Sequence, residues 1–243
     1  MTPIIFAILQ VCNAIFTKVN FLYTFDFKLN RHWMEILLFM KTLLTNSVYP
    51  TWTNLIIQVY CQFCHRISTT ISDFVTEIDS CSPQKFTISK QADILKRESR
   101  AHQAVLCIQS IFSVTSFLVC TAHFCASITV LTALIVPQND SSYITACAFG
   151  LYFLNSSGGL LACLWIAGGP SKNANKFKES FERKIRERKL YLEKTNRRCC
   201  VESLNGLSDY TLSGCDIIYF RRNSILALSG TLLTYTFLLI GWK

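Results

Sequence analysis

Cys61-Gln62-Phe63-Cys64-His65 is the first group in this chain whose residue types and spacing suggest chemistry. Cys-x-x-Cys-His is the attachment pattern of a c-type haem. That reaction needs an oxidising compartment and a pocket for a macrocycle. Here the motif ends an apolar run on the side read below as cytoplasmic, and no second axial ligand accompanies it. Cys120, His123 and Cys125 suggest a zinc site, but spacings of three and two residues do not bring all three to one helical face. His123 taken singly is an ionisable group inside an apolar stretch. Such a residue is expensive at membrane depth and marks either a ligand contact or a hydrogen bond between packed helices. Cys199-Cys200, beside Arg197-Arg198, is either a palmitoylation site close to a membrane or an unmodified cytosolic pair. No nucleophile elbow, His-Glu-x-x-His, phosphate loop or pair of intramembrane carboxylates occurs. The sequence therefore argues against an enzyme and calls for neither a metal nor a cofactor.

The elements that hold these residues follow from where the charges lie. Hydrophobic residues make up 51% of the 243 positions and charged residues only 16%. The 37 residues between His102 and Asp140 carry no Lys, Arg, Asp or Glu, and neither do the 31 between Asp140 and Lys172. A soluble helix of that length needs a polar face, so these stretches read as membrane spans in an all-α polytopic helical bundle. The net charge of +9 does not indicate nucleic acid, because it is concentrated: Lys172 to Arg198 holds eleven Lys or Arg against four Glu. A basic segment between apolar runs is a cytoplasmic connection by the positive-inside rule. The 12 cysteines lie mostly inside apolar runs or beside that cytoplasmic side, as small apolar residues or reduced thiols rather than a disulfide framework.

Five spans are expected within a single transmembrane domain over 1–243: about 3–24, 36–60, 104–136, 143–168 and 223–242, with cytoplasmic loops 61–103 and 169–222. Pro50 should kink the second. The third should continue from a charged lead-in, Ser89 to Gln103, as one long helix, and Lys172 to Leu192 should prolong the fourth past Gly168-Gly169-Pro170. The segment from Thr195 to Gly214 reads as flexible. Six basic residues between Arg66 and Arg100 and eleven between Lys172 and Arg198, against none in 137–142, put the N-terminus inside and the C-terminus outside. The sequon at Asn139-Asp140-Ser141, a possible glycosylation site, falls in the one loop expected outside.

The last 24 residues, Phe220 to Lys243, are a basic shoulder followed by a 20-residue run, Asn223 to Trp242, without a formal charge. Within it Thr234-Tyr235 precede five mostly apolar residues, then Gly241-Trp242. This resembles the terminal signature of the arthropod gustatory and odorant receptors: Thr-Tyr, five hydrophobic residues, then Gln-Phe. The Gln-Phe pair is Gly241-Trp242 here, a departure that touches the filter position. Arg100-Ala101-His102 before a long apolar helix, Gly158 to Ala167 leading into Asn173, and Ser213-Gly214 through Arg222 are similar to that family's fifth, sixth and seventh spans.

The resemblance implies a chemosensory subunit of a ligand-gated cation channel in the plasma membrane, assembled as a homo- or hetero-tetramer around its last helices. The five spans would match the family's third to seventh, which implies that two N-terminal spans are missing. Carried over by position, Leu238 and Trp242 match the hydrophobic gate and Gly241 the selectivity glutamine. The outward half of the bundle offers Asn20, Tyr23, His123, Thr129, Tyr143, Tyr152 and Asn155 to a small-molecule ligand, or else to packing between helices. The alternative reading is another polytopic protein, a transporter or an assembly partner, although neither internal repeats nor midplane charges are present.

Overall fold

The computed structural model of the chain describes residues 4, 8, 12, 31–135, 143–194, 210–220 and 222–241. Most of 3–24, the loop holding Asn139, both Cys199 and Cys200, and Trp242 lie outside the described residues. The described chain is all-α apart from one short hairpin. Its elements are α1 (Arg31–Asn46), a π-helical turn (Ser47–Trp52), α2 (Thr53–Ser80), α3 (Ile88–Ile135), α4 (Tyr143–Ala167), α5 (Gly169–Lys194), β1 (Ser213–Gly214), β2 (Ile218–Tyr219) and α6 (Arg222–Gly241).

Among the described residues, three helical stretches are long and apolar enough to cross a membrane: Ile88–Ile135, Ala146–Lys194 and Arg222–Gly241. The first is a single helix of 48 residues, about 72 Å at 1.5 Å per residue, more than twice a hydrocarbon core of about 30 Å. Its charged lead-in and apolar run are thus one element. The expected second span, 36–60, is divided between two helices. Pro50 has no N–H to donate, and its ring drives the preceding residue out of helical geometry. Tyr49 accordingly stands at φ −133°, ψ 126°. The hydroxyls of Ser47, Thr51 and Thr53 donate to the carbonyls of Leu43, Asn46 and Pro50 at 2.7–2.9 Å. These bonds cover carbonyls that the break would leave bare in an apolar setting. The break leaves α1 only 16 residues long.

The chain forms two compact units. The first comprises Met1–Val59, Leu118–Cys163 and Leu226–Lys243 and holds the most apolar parts of α3, α4 and α6. The second comprises Tyr60–Phe117 and Leu164–Ile225 and is charged outside and aromatic inside. Phe74, Phe86, Phe177 and Phe181 are buried together with Ile78 and Ile94. The Phe181 ring lies 5.4 Å from Phe86 and 5.7 Å from Phe177, tilted or edge-on as the ring quadrupoles favour. Lys90 and Arg97 both bind the Glu77 carboxylate, the latter at 2.8 Å, and Arg183 binds Asp79 at 2.7 Å. The hydrogen bond from Lys90, with Arg97 behind it, holds the Glu77 carboxyl below its ordinary pKa. A depressed carboxyl contributes stability that is present above the usual carboxylate range and is lost as the pH falls through it.

Of 195–214, whose composition reads as flexible, only 210–214 are described, and these are docked. Tyr210, buried, donates its hydroxyl to the Glu98 backbone carbonyl and to Glu98 Oε1 at 2.8 Å. Burial, then the hydrogen bond and charge of Glu98, push that phenol above its ordinary pKa. Gln109 donates to Ser213 through Nε2 and accepts the Ser213 N–H, and Ser113 Oγ accepts the Cys215 N–H at 2.9 Å. The β1–β2 turn passes through left-handed Cys215 and Asp216, at φ 53° and 56°. No hydrophobic periodicity announces this clip; side-chain amides and hydroxyls on α3 make it.

Candidate functional site

The break at Pro50 creates the most polar interior of the first unit. With Tyr49 extended, its hydroxyl lies 3.1 Å from Ser156 Oγ on α4, and its ring centroid lies 5.7 Å from that of His123 on α3. One turn earlier, buried Asn46 donates to the Thr42 carbonyl at 2.9 Å and accepts from the Tyr152 hydroxyl. One turn later, Asn54 Nδ2 donates to Asn155 Oδ1 at 2.8 Å. Three segments thus converge on seven side chains: Asn46, Tyr49 and Asn54 around the break, His123 from α3, and Tyr152, Asn155 and Ser156 from α4.

Buried polar atoms are normally paired, and an exception calls for an explanation. Two members of this cluster retain unused capacity. His123 is 0% exposed and lies close to the Ser156 backbone, yet neither ring nitrogen meets hydrogen-bond geometry with any described residue. Asn155 Nδ2 is likewise buried without a partner among them. Gly159 leaves room beside His123 and Asn54. A Cβ built there would stand 3.4 Å from His123 Cε1, 3.5 Å from Ile57 Cδ1 and 3.6 Å from Asn54 Oδ1. A neutral imidazole offers one donor and one acceptor, and the amide offers further donors. No Asp, Glu, Lys or Arg lies in 103–139 or 141–171, so a charged molecule would find no counter-ion on these helices. The arrangement suits a neutral molecule that both accepts and donates hydrogen bonds.

Of the residues singled out from sequence for a ligand, His123, Tyr152 and Asn155 come together here. Thr129 is exposed, with its hydroxyl bonded to the Cys125 carbonyl of its own helix, and Tyr143 is 92% exposed. Neither joins the cluster. Asn20 and Tyr23 lie outside the described residues. Sequence reasoning missed Asn46, Tyr49, Asn54, Ser156 and Gly159. The available signal was Asn46 and Asn54 flanking a proline in an otherwise apolar stretch.

The cysteine motifs resolve separately. Cys120 is buried with its sulfur 3.9 Å from that of Cys163 on α4, whereas Cys125 is exposed. Among the described residues no group of three His, Cys, Asp or Glu is placed to hold a metal. Cys61 and Cys64 are buried on α2 and His65 is exposed. Burial, then Cys61, push the Cys64 thiol up to about 12, so it stays protonated and a poor nucleophile.

In the tail, Thr234 bonds the Gly230 carbonyl of its own helix, while the Tyr235 hydroxyl reaches Thr132 of α3 at 3.4 Å. Leu238 is 66% exposed, Gly241 is open to solvent or lipid, and no residue of α6 is buried. Trp242 lies outside the described residues. No family model matches the chain, and no curated protein matches it.

Proposed function

We propose that the chain is a gustatory-receptor-like subunit of a ligand-gated cation channel in the plasma membrane, with its C-terminus outside. It would respond to a small molecule, and its last helix would line the pore of a homo- or hetero-tetramer. The observation that carries this reading is the buried cluster around His123, which holds unpaired hydrogen-bonding capacity between helices otherwise built of apolar residues. The tail resemblance and the open surface of α6 support the pore assignment. Apolar rings gate by dewetting, and polar groups or carbonyls set selectivity. Leu238 would form such a ring with Trp242, while Gly241 would offer its carbonyl where the family has an amide.

Orientation is testable first. A tag after Lys243 should stain on intact cells, and one near Lys189 only after permeabilisation. The reverse pattern would overturn both orientation and function. The pore is tested in a channel-forming assembly. Leu238 and Trp242 are four residues apart, a spacing that would put both on one side of a helix. Cysteine at either position should let an external thiol reagent change conductance, and cysteine at Leu239 should respond less. Gly241→Gln should shift relative permeability among cations. Uniform insensitivity across these positions would remove α6 from the pore.

A further inference from the structure

Where apolar α4 gives way to basic α5, the start of α6 meets the helix at Gly168. A Cβ there would lie 3.2 Å from the Arg222 backbone nitrogen and 3.3 Å from Arg222 Cγ, so a larger residue would push the two apart. Arg222 lays its guanidinium over Trp165, with Cζ 4.2 Å from the ring centroid. Its Nε is buried without a hydrogen-bond partner among the described residues. The helix runs unbroken through this corner: Gly168 N–H donates to Leu164 and Lys172 N–H to Gly168. Trp165, Gly168 and Lys172, spaced by three and four, therefore share one face. Lys172 is exposed.

Four cations of this unit, Lys90, Arg97, Arg183 and Lys184, are matched by carboxylates. Lys172 and Arg222 hold none among the described residues, although they flank the same glycine. Lys172 lies one helical turn beyond the glycine that Arg222 touches, so an anion bound at this corner would meet both charges. The site also lies at the boundary of an apolar run, and Trp165, 55% exposed, is the amphipathic residue typical of headgroup level.

We infer that this corner binds the headgroup phosphate of an anionic glycerophospholipid. Arg222 presents a planar fork of donors to the phosphate oxygens, Lys172 adds a point charge, and Trp165 covers the glycerol region beside them. A soluble anion would leave the indole uncovered, which favours the lipid. The binding requires only that the chain cross a bilayer; assignment to the cytoplasmic leaflet rests on the orientation proposed above.

The test uses the purified full chain in micelles doped with equal phosphatidylserine and phosphatidylcholine, with retained lipid counted by native mass spectrometry. Phosphatidylserine should be retained preferentially. Lys172→Gln, at an exposed position, should weaken retention about fivefold, and the double variant with Arg222→Gln about 30-fold. Arg222→Lys should fall between wild type and Arg222→Gln. Equal retention of both lipids, or a double variant indistinguishable from wild type, would overturn the proposal. So would displacement by millimolar inorganic phosphate. None of these readouts requires current, so a failed channel reading leaves them interpretable.

Discussion

Phe181→Ala should lower the stability of the second unit by about 3–5 kcal/mol, the range for removing a buried aromatic ring from a packed core. Phe181 is fully enclosed, with Phe86 and Phe177 against its faces and edges. Truncation forfeits both ring contacts and leaves a cavity that rigid neighbours on α5 and the 81–87 connection close only in part. Leu190→Ala supplies the control, because Leu190 lies on the same helix and is 61% exposed; its change should stay within about 0.5 kcal/mol. Both variants keep every charge of α5, so electrostatics do not enter the comparison. Thermal unfolding in detergent, followed by loss of soluble protein, measures both. Equal shifts would mean that the aromatic cluster does not organise the unit.

That cluster shows what was legible in the sequence and what was not. Helix placement was legible wherever charge disappears for 30 residues or more, since backbone groups in an apolar medium are satisfied within a helix. Hence 104–136 and 143–168 fall on α3 and α4, the long charged lead-in joins α3, and Lys172 to Leu192 falls on α5. The span expected at 36–60 was half legible. Pro50 announced a break, but its position between two separate helices and the extended Tyr49 depend on local hydroxyls. The polar cluster was legible one residue at a time through His123, Tyr152 and Asn155. Its partners Tyr49, Asn54 and Ser156 were not, because contacts between residues about a hundred positions apart leave no local pattern. The docking of 210–220 was hidden for the same reason: Gln109 and Ser113 look like ordinary polar helix residues until the hairpin meets them.

The sharpest test of the site contrasts two substitutions by the sign of their effect on stability. Asn54 Nδ2 donates to Asn155 Oδ1, so Asn54→Leu strands a part-buried amide oxygen and should destabilise the fold by about 1–3 kcal/mol. His123 has no side-chain partner of that kind, only the Ser156 backbone close by. His123→Leu keeps a similar bulk against Tyr49 and Gly159 and removes two buried polar atoms without a partner. Its thermal stability should be unchanged or higher. If those nitrogens serve a ligand, the half-maximal concentration in a current or calcium assay should nevertheless rise about 5- to 150-fold. That range corresponds to about 1–3 kcal/mol of lost recognition. His123→Gln, which restores a donor and an acceptor, should recover part of the response. Gly159→Leu should abolish it by filling the space between His123, Ile57 and Asn54. Stability that falls with His123→Leu while sensitivity holds would make the histidine a packing residue and remove the ligand site from this cluster. Stability that holds while sensitivity falls is the signature of a group kept unpaired for binding, at a position where the fold alone gains nothing from it.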